Sequence, residues 1–270
     1  KKMNQILGEL GKSQKFKELL NQIENKQSPI AISGLNDVGA VQIETAINQF
    51  GKKPICIITY NEIQAKKIYE NVKYFTENVV LFPKKEIVTY DYIAESKDLP
   101  YERIAVLNKI ILQEKSKEPI IIVTTIEAAM QKMISKEELY ENIVDFKIGE
   151  TYSIENLKQT FVKLGYERTN LIEGQGQFSI RGGIVDVGLS NKIGVRIEFW
   201  GDEVDSIRYF KIDSQRSTEM IQNITIFPAH EFIVQNIYNA IKKLEENYSN
   251  VDEDIELIKV VIAPILLQAK

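Results

Sequence analysis

Residues 173–217 read EGQGQFSIRGGIVDVGLSNKIGVRIEFWGDEVDSIRYFKIDSQRS, and this stretch decides how the rest of the chain is read. From Val195 to Trp200 apolar and polar residues alternate with period 2. The run therefore predicts a β-strand with Val195, Ile197 and Phe199 on one face and Arg196, Glu198 and Trp200 on the other. A strand face turned to water is ordinarily Lys, Thr and Glu. An Arg beside the only Trp of the chain is instead the composition of a protein-binding hot spot. On periodicity alone two readings stand. Either this face binds a partner, or Trp200 covers a second small core and Arg196 is an ordinary solvated charge. The glycine pairs Gly174/Gly176 and Gly182/Gly183 lie between predicted strands and open no helix, so they are no dinucleotide fingerprint. They are read as turns, or as a bulge that lets Arg181 project.

Upstream of this stretch the rhythm is different. Residues 29–33 (PIAIS), 54–59 (PICIIT), 79–82 (VVLF) and 119–125 (PIIIVTT) are short apolar runs, read as buried strands. Between and around them, 16–27, 38–50, 61–75 and 101–113 carry helical patterns, with Asn61 and Gln64 placed as a capping-box-like pair. Strands alternating with helices predict an α/β unit whose parallel sheet is covered on both faces. From residue 143 the pattern becomes α+β: 143–148 extended, 153–165 helical, 171–227 strand and turn throughout. The expected organisation is therefore 1–142, 143–228 and 229–270, the last segment mainly helical.

The composition, 44% hydrophobic and 27% charged over 270 residues, is enough for a real core and two domains. A net charge of −4 argues against a dedicated nucleic-acid binder, whose affinity rests on clustered Lys and Arg. One Cys and one His exclude a Cys/His zinc site. Cys56 is expected to be a buried strand residue, and His230 a polar residue without a nucleophile to serve. No metal or cofactor is expected. No run approaches a membrane span, and a cytoplasmic protein without membrane contact is expected. The chain ends within the apolar run 260–267 (VVIAPILL) and is expected to be a piece of something longer. The acidic group 251–254 (VDED) follows a polar segment rather than a buried strand, so it is read as a solvated loop and not as a Mg²⁺ motif.

Between the first apolar run and the next helix stands 34–41, GLNDVGAV. This is the place of a phosphate loop, and Gly34 and Gly39 keep the spacing of its two glycines. Ala40 stands where Lys neutralises the β- and γ-phosphates, and Val41 where a hydroxyl ligates Mg²⁺. Asp37 inside the loop repels phosphate. The segment is read as a turn, not as an ATP site.

The runs GQFSIRGGIVDV (176–187), RIEFWGDEVDSIR (196–208) and DSQR (213–216) resemble domain 2 of a family of bacterial repair proteins. The family includes the excision-nuclease subunit UvrB and the UvrB-like N-terminal module of the transcription-repair coupling factor. The segments FPAHEF (227–232) and LFP (81–83) resemble the coupling-factor branch, and the similarity runs from about residue 25 to 235. The degenerate loop agrees with that branch, since UvrB keeps an intact loop and hydrolyses ATP. So does 89–100 (TYDYIAESKDLP), which is too short for the Tyr-rich hairpin with which UvrB probes DNA; Tyr90, Tyr92 and Tyr101 are expected to pack on the sheet edge, stacking on bases being the alternative.

The resemblance implies a degenerate helicase-like parallel-sheet domain (1–142, domain 1a), an inserted antiparallel domain 2 (143–228) and the start of domain 1b (229–270). It implies that domain 2 docks on UvrA, the damage-recognition ATPase, through the residues matching Arg181, Arg196 and Trp200. Glu198, between Arg196 and Trp200 on the same face, is expected to orient Arg196 or to pair with a partner Arg, and Arg208 on the following strand to extend the patch. For the full-length protein it implies RNA polymerase and double-stranded DNA as partners, ATP-dependent translocation by a domain absent here, and a C-terminal domain that masks the UvrA face. The alternatives are a divergent UvrB-like DNA-dependent ATPase or helicase, and a DNA-binding module.

Overall fold

The computed structural model describes residues 2–85, 99–116 and 118–231. The segments 89–98 and 232–270, with the expectations placed on Tyr90, Tyr92, the 251–254 acidic group and the final helices, lie outside the described residues. Two compact units divide the chain, Lys1–Lys132 and Met133–Lys270. Together they are mixed α/β, with a parallel sheet in the first and antiparallel sheets in the second.

The first unit runs α1 (Lys2–Lys12), α2 (Gln14–Glu24), α3 (Asp37–Gly51), β1 (Ile55–Thr59), α4 (Glu62–Lys73), β2 (Val79–Phe82), α5 (Leu99–Ser116), β3 (Ile121–Thr125) and α6 (Ile126–Met130). Its three strands are parallel in the order β1-β3-β2. Alternate residues of the apolar strands feed two cores. Val79, Ile121 and Val123 meet Val41 of α3 and Ala65 and Val72 of α4, while Val80, Phe82 and Ile120 meet Val106 of α5 and Ala128 of α6. Helix α4 starts where Asn61 was placed as a cap: its side chain accepts from the Gln64 N–H at 2.8 Å.

Two expectations in this unit fail. Residues 29–33 form no strand. Ile32 is 47% exposed, and no strand among the described residues pairs with this segment; a five-residue apolar run holds strand geometry only when a neighbour takes its N–H and C=O groups. Cys56 is exposed, not buried. It shares with Ile58, which is 52% exposed, the side of β1 turned away from the α3/α4 core, and β1 is an edge strand among the described residues.

The second unit runs α7 (Lys136–Glu141), β4 (Val144–Lys147), α8 (Ile154–Lys163), β5 (Glu167–Arg168), β6 (Gln177–Arg181), β7 (Ile184–Gly188), β8 (Ile193–Trp200), β9 (Glu203–Lys211), β10 (Ser217–Ile221) and β11 (Asn223–Ile226). The strands β10-β9-β8-β7-β6-β5 form one sheet, antiparallel except where β5 meets β6, and β11 pairs with β4 apart from it. One face of the six-stranded sheet is dry. Phe178, Val185, Val187, Val195, Ile197 and Ile207 are fully buried there, and Phe161 of α8 stacks on Phe178 with ring centroids 5.2 Å apart. Burying each such side chain contributes roughly 1.5–3 kcal/mol, so α8 and the sheet specify one another. The opposite face carries the charged residues.

Candidate partner-binding face

The register of the sheet sets the geometry of that second face. Asp186 of β7 stands opposite Arg196 of β8, and Arg196 opposite Arg208 of β9. In the next row Ile184, Glu198 and Ser206 are opposite one another, with Arg181 opposite Ile184 across the β6–β7 hairpin. The hairpin turns on Gly182 and Gly183; Gly182 has φ +60°, a conformation that L side chains rarely adopt, and the Gly183 carbonyl accepts from the Phe199 N–H at 2.7 Å. The turn thus ends β6 on Arg181 and ties it to the strand bearing Arg196.

Asp186 is 1% exposed, and both of its oxygens are taken. Arg196 donates through Nε to Oδ1 at 2.7 Å and through Nη2 to Oδ2 at 2.9 Å, a two-pronged bond. Arg181 donates through Nη2 to the same Oδ2 at 2.9 Å. The Arg196 guanidinium also lies over the Phe210 ring, 5.1 Å from its centroid. The hydrogen bond to Asp186 raises the Arg196 pKa above its ordinary value, against partial burial, so the side chain stays cationic throughout the working pH range.

A second pair repeats the arrangement nearer to water. Arg208 donates to Glu198 Oε2 at 2.7 Å, and the Ser206 hydroxyl donates to the same oxygen at 2.9 Å. The Arg208 Nε is buried and has no hydrogen-bond partner among the described residues. Glu198 therefore serves Arg208 and Ser206 directly, not Arg196. Trp200 ends β8 and is 85% exposed, with Met220 of β10, opposite Arg208, 65% exposed. A small second core does exist, made of Ile172, Phe210 and Ile212, and Trp200 is not part of it.

The two-pronged grip with which an Arg can hold a partner carboxylate is, for Arg196, made inside the chain. The residue that receives it, Asp186, went unsingled in the sequence. Its signal is a carboxylate set between Val185 and Val187 in an otherwise apolar strand, a position where a charge needs a partner.

The loop in the first unit is built differently. Gly34, at φ +81°, turns the chain into α3. Asn36 caps the helix, accepting from the Gly39 N–H with its side chain at 2.8 Å and from the Ala40 N–H with its carbonyl at 2.9 Å. Asp37 pairs with Lys67 at 2.7 Å on the surface, and that contact holds its carboxyl below the ordinary range. Val41 is 2% exposed, inside the α3/α4 core. Elsewhere, burial pushes the His230 imidazole below its ordinary pKa, and the ring packs against Gly165. Among the described residues no group of His, Cys, Asp and Glu is placed to hold a metal, and no helix is long and apolar enough to cross a membrane.

One face of the six-stranded sheet packs on a helix and the other carries arginine–carboxylate pairs, with Trp200 exposed at the end of β8, and residues 144–232 match the family model of the UvrB interaction domain. The similarity extends over most of the chain. A transcription-repair-coupling factor of Bacillus subtilis is 31% identical over 237 residues, 86% of this chain and 20% of that protein. Those of Staphylococcus aureus and Staphylococcus epidermidis are 27% identical over 256 and 228 residues, 93% and 82% of this chain. The chain spans about a fifth of the length of these curated relatives and groups with their UvrB-like module.

Proposed function

We propose that the chain is a non-catalytic recruitment module that binds UvrA through the arginine face of its second unit. In the full-length protein it links RNA polymerase stalled on damaged DNA to nucleotide excision repair. The observation that carries this reading is the pairing of a prearranged cationic cluster, Arg181 and Arg196 on Asp186, with an exposed Trp200 on the strand that holds Arg196. Charged groups held by hydrogen bonds and a rigid aromatic anchor are the parts from which interface hot spots are built. Glu198 and Arg208 extend the face. The division into 1–142, 143–228 and 229–270 goes with this reading, as domains 1a, 2 and the start of 1b.

No catalysis by this chain is proposed. Capping by Asn36 occupies the Gly39 N–H in the first turn of α3, Asp37 adds negative charge there, and Val41 lies in the apolar core. Each of these opposes a bound triphosphate and its Mg²⁺. ATP-driven translocation, contact with RNA polymerase and double-stranded DNA, and masking of the UvrA face by a C-terminal domain belong to the rest of the full-length protein.

The test is a titration of the chain with purified UvrA beside Arg196→Ala and Trp200→Ala. Binding is expected, with each variant weakened roughly thirtyfold, which corresponds to about 2 kcal/mol for an anchor near an interface centre. A chain that does not bind UvrA ends the recruitment reading.

A further inference from the structure

We infer that Asp186 is a positioning residue for partner binding: it holds Arg181 and Arg196 in one arrangement, so that the two arginines engage a partner as a single unit. The inference rests on the recruitment reading above and adds to it the residue that organises the site.

The argument begins with the cost of the carboxylate. Asp186 is 1% exposed between Val185 and Val187, both fully buried, in the middle of a strand with neighbours on each side. Desolvating an ion at this depth is expensive, and well-packed apolar residues in place of a buried ion pair are often as stable or more so. For stability alone, an apolar residue here with apolar partners opposite would serve. What a carboxylate adds is direction. It fixes Arg196 through two bonds and Arg181 through one, although the two come from different strands and differ in exposure, 18% and 49% of their side chains.

The consequence for recognition follows from donor arithmetic. A guanidinium has five N–H groups. Arg196 commits one at Nε and one at Nη2 to Asp186, and the Phe210 ring beneath it fixes its plane. Arg181 commits one at Nη2 and makes no other hydrogen bond or ion pair among the described residues. The remaining donors of Arg196 belong to a plane already held in place, and the more exposed Arg181, with only one Nη2 N–H committed, keeps one of its two forks (Nε with Nη2, or Nη1 with Nη2) open for a two-pronged bond to an acidic partner group. Without Asp186 the two cations repel one another, and two long side chains must be ordered when the partner arrives.

The experiment is a thermodynamic cycle on the full chain with purified UvrA as the probe. Affinities are measured for the unmodified chain, Asp186→Asn, the double variant Arg181→Ala/Arg196→Ala, and the triple variant combining them. Asp186→Asn alone is expected to weaken binding by about tenfold, one to two ordered side chains' worth. In the arginine-free background it is expected to change nothing. An independent readout is the Arg196 Nε–H resonance, expected to be slow to exchange in the unmodified chain and fast in Asp186→Asn, with the backbone amide spectrum retained. If Asp186→Asn unfolds the sheet, Asp186→Glu, which keeps the charge and displaces it by one methylene, takes its place in the same cycle. Unchanged affinity in the aspartate variant, or an equal loss with and without the arginines, overturns the inference while the recruitment reading survives. Absence of binding by the unmodified chain overturns the recruitment reading and removes this inference with it.

Discussion

Two contacts in this molecule have the same length and each sets a carboxylate against a cation: Asp37 meets Lys67 at 2.7 Å in the first unit, and Asp186 meets Arg196 at 2.7 Å in the second. They differ in what surrounds them. The Asp37 and Lys67 side chains are 74% and 61% exposed, whereas Asp186 is 1% exposed and Arg196 18%. Water and salt screen the first pair, and the second acts in a medium of far lower dielectric, where an unmatched charge is costly. Distance alone therefore says little about what a charge pair does. The same contrast separates the two candidate sites. The turn at the start of α3 carries its charge on the outside and fills its inside with Val41, while the sheet of the second unit draws a carboxylate inside so that arginines can be held at its surface.

Removing the two aspartates breaks the comparison most directly. Asp186→Ala should destabilise the second unit by about 2–3 kcal/mol, somewhat below the full range for a broken buried pair because Arg181 stays half exposed. The midpoint and slope of urea denaturation measure it. A smaller effect is expected from Val41→Ser in the first unit. There the lost methyl groups and a hydroxyl placed in the apolar core should cost about 1–2 kcal/mol, moderated if the hydroxyl bonds back to the preceding helical turn as Thr45 does to Val41. Adding Ala40→Lys to that variant should yield no ATP hydrolysis above the unmodified chain, by release of inorganic phosphate. The smallest effect is the counterpart of the first: Asp37→Ala should leave the denaturation midpoint unchanged at moderate salt. A clear shift there would mean that exposed and buried pairs in this chain are closer in character than their surroundings imply.

Much of this was legible from residue order. The period-2 run at 195–200 predicted the two faces of β8, and burial follows it from Val195 to Ile197, with Arg196 between them half-buried on the other side. The Asn61 cap was readable because a cap is a local device, satisfied within three residues. The strand expected at 29–33 was not, because a strand is an agreement between two segments and the apolar run carries only one side of it. Cys56 was misjudged for a related reason. An apolar strand with both faces covered and an edge strand with one face open have the same composition.

Residue order by itself determined the local matters: where α4 is capped, which side of β8 is polar, and that the turn before α3 lacks the lysine and hydroxyl of a phosphate site. It also carried the family resemblance, through motifs spread over the second unit. Only the tertiary structure decided that the fork of Arg196 is spent on Asp186, that Glu198 serves Arg208, and that Trp200 stands clear of the second small core. The physical reason is that propensity and periodicity act along a few neighbouring residues. The partner of a side chain and the dielectric around it are set by the register of strands ten or more residues apart, and become defined only when the sheet has closed.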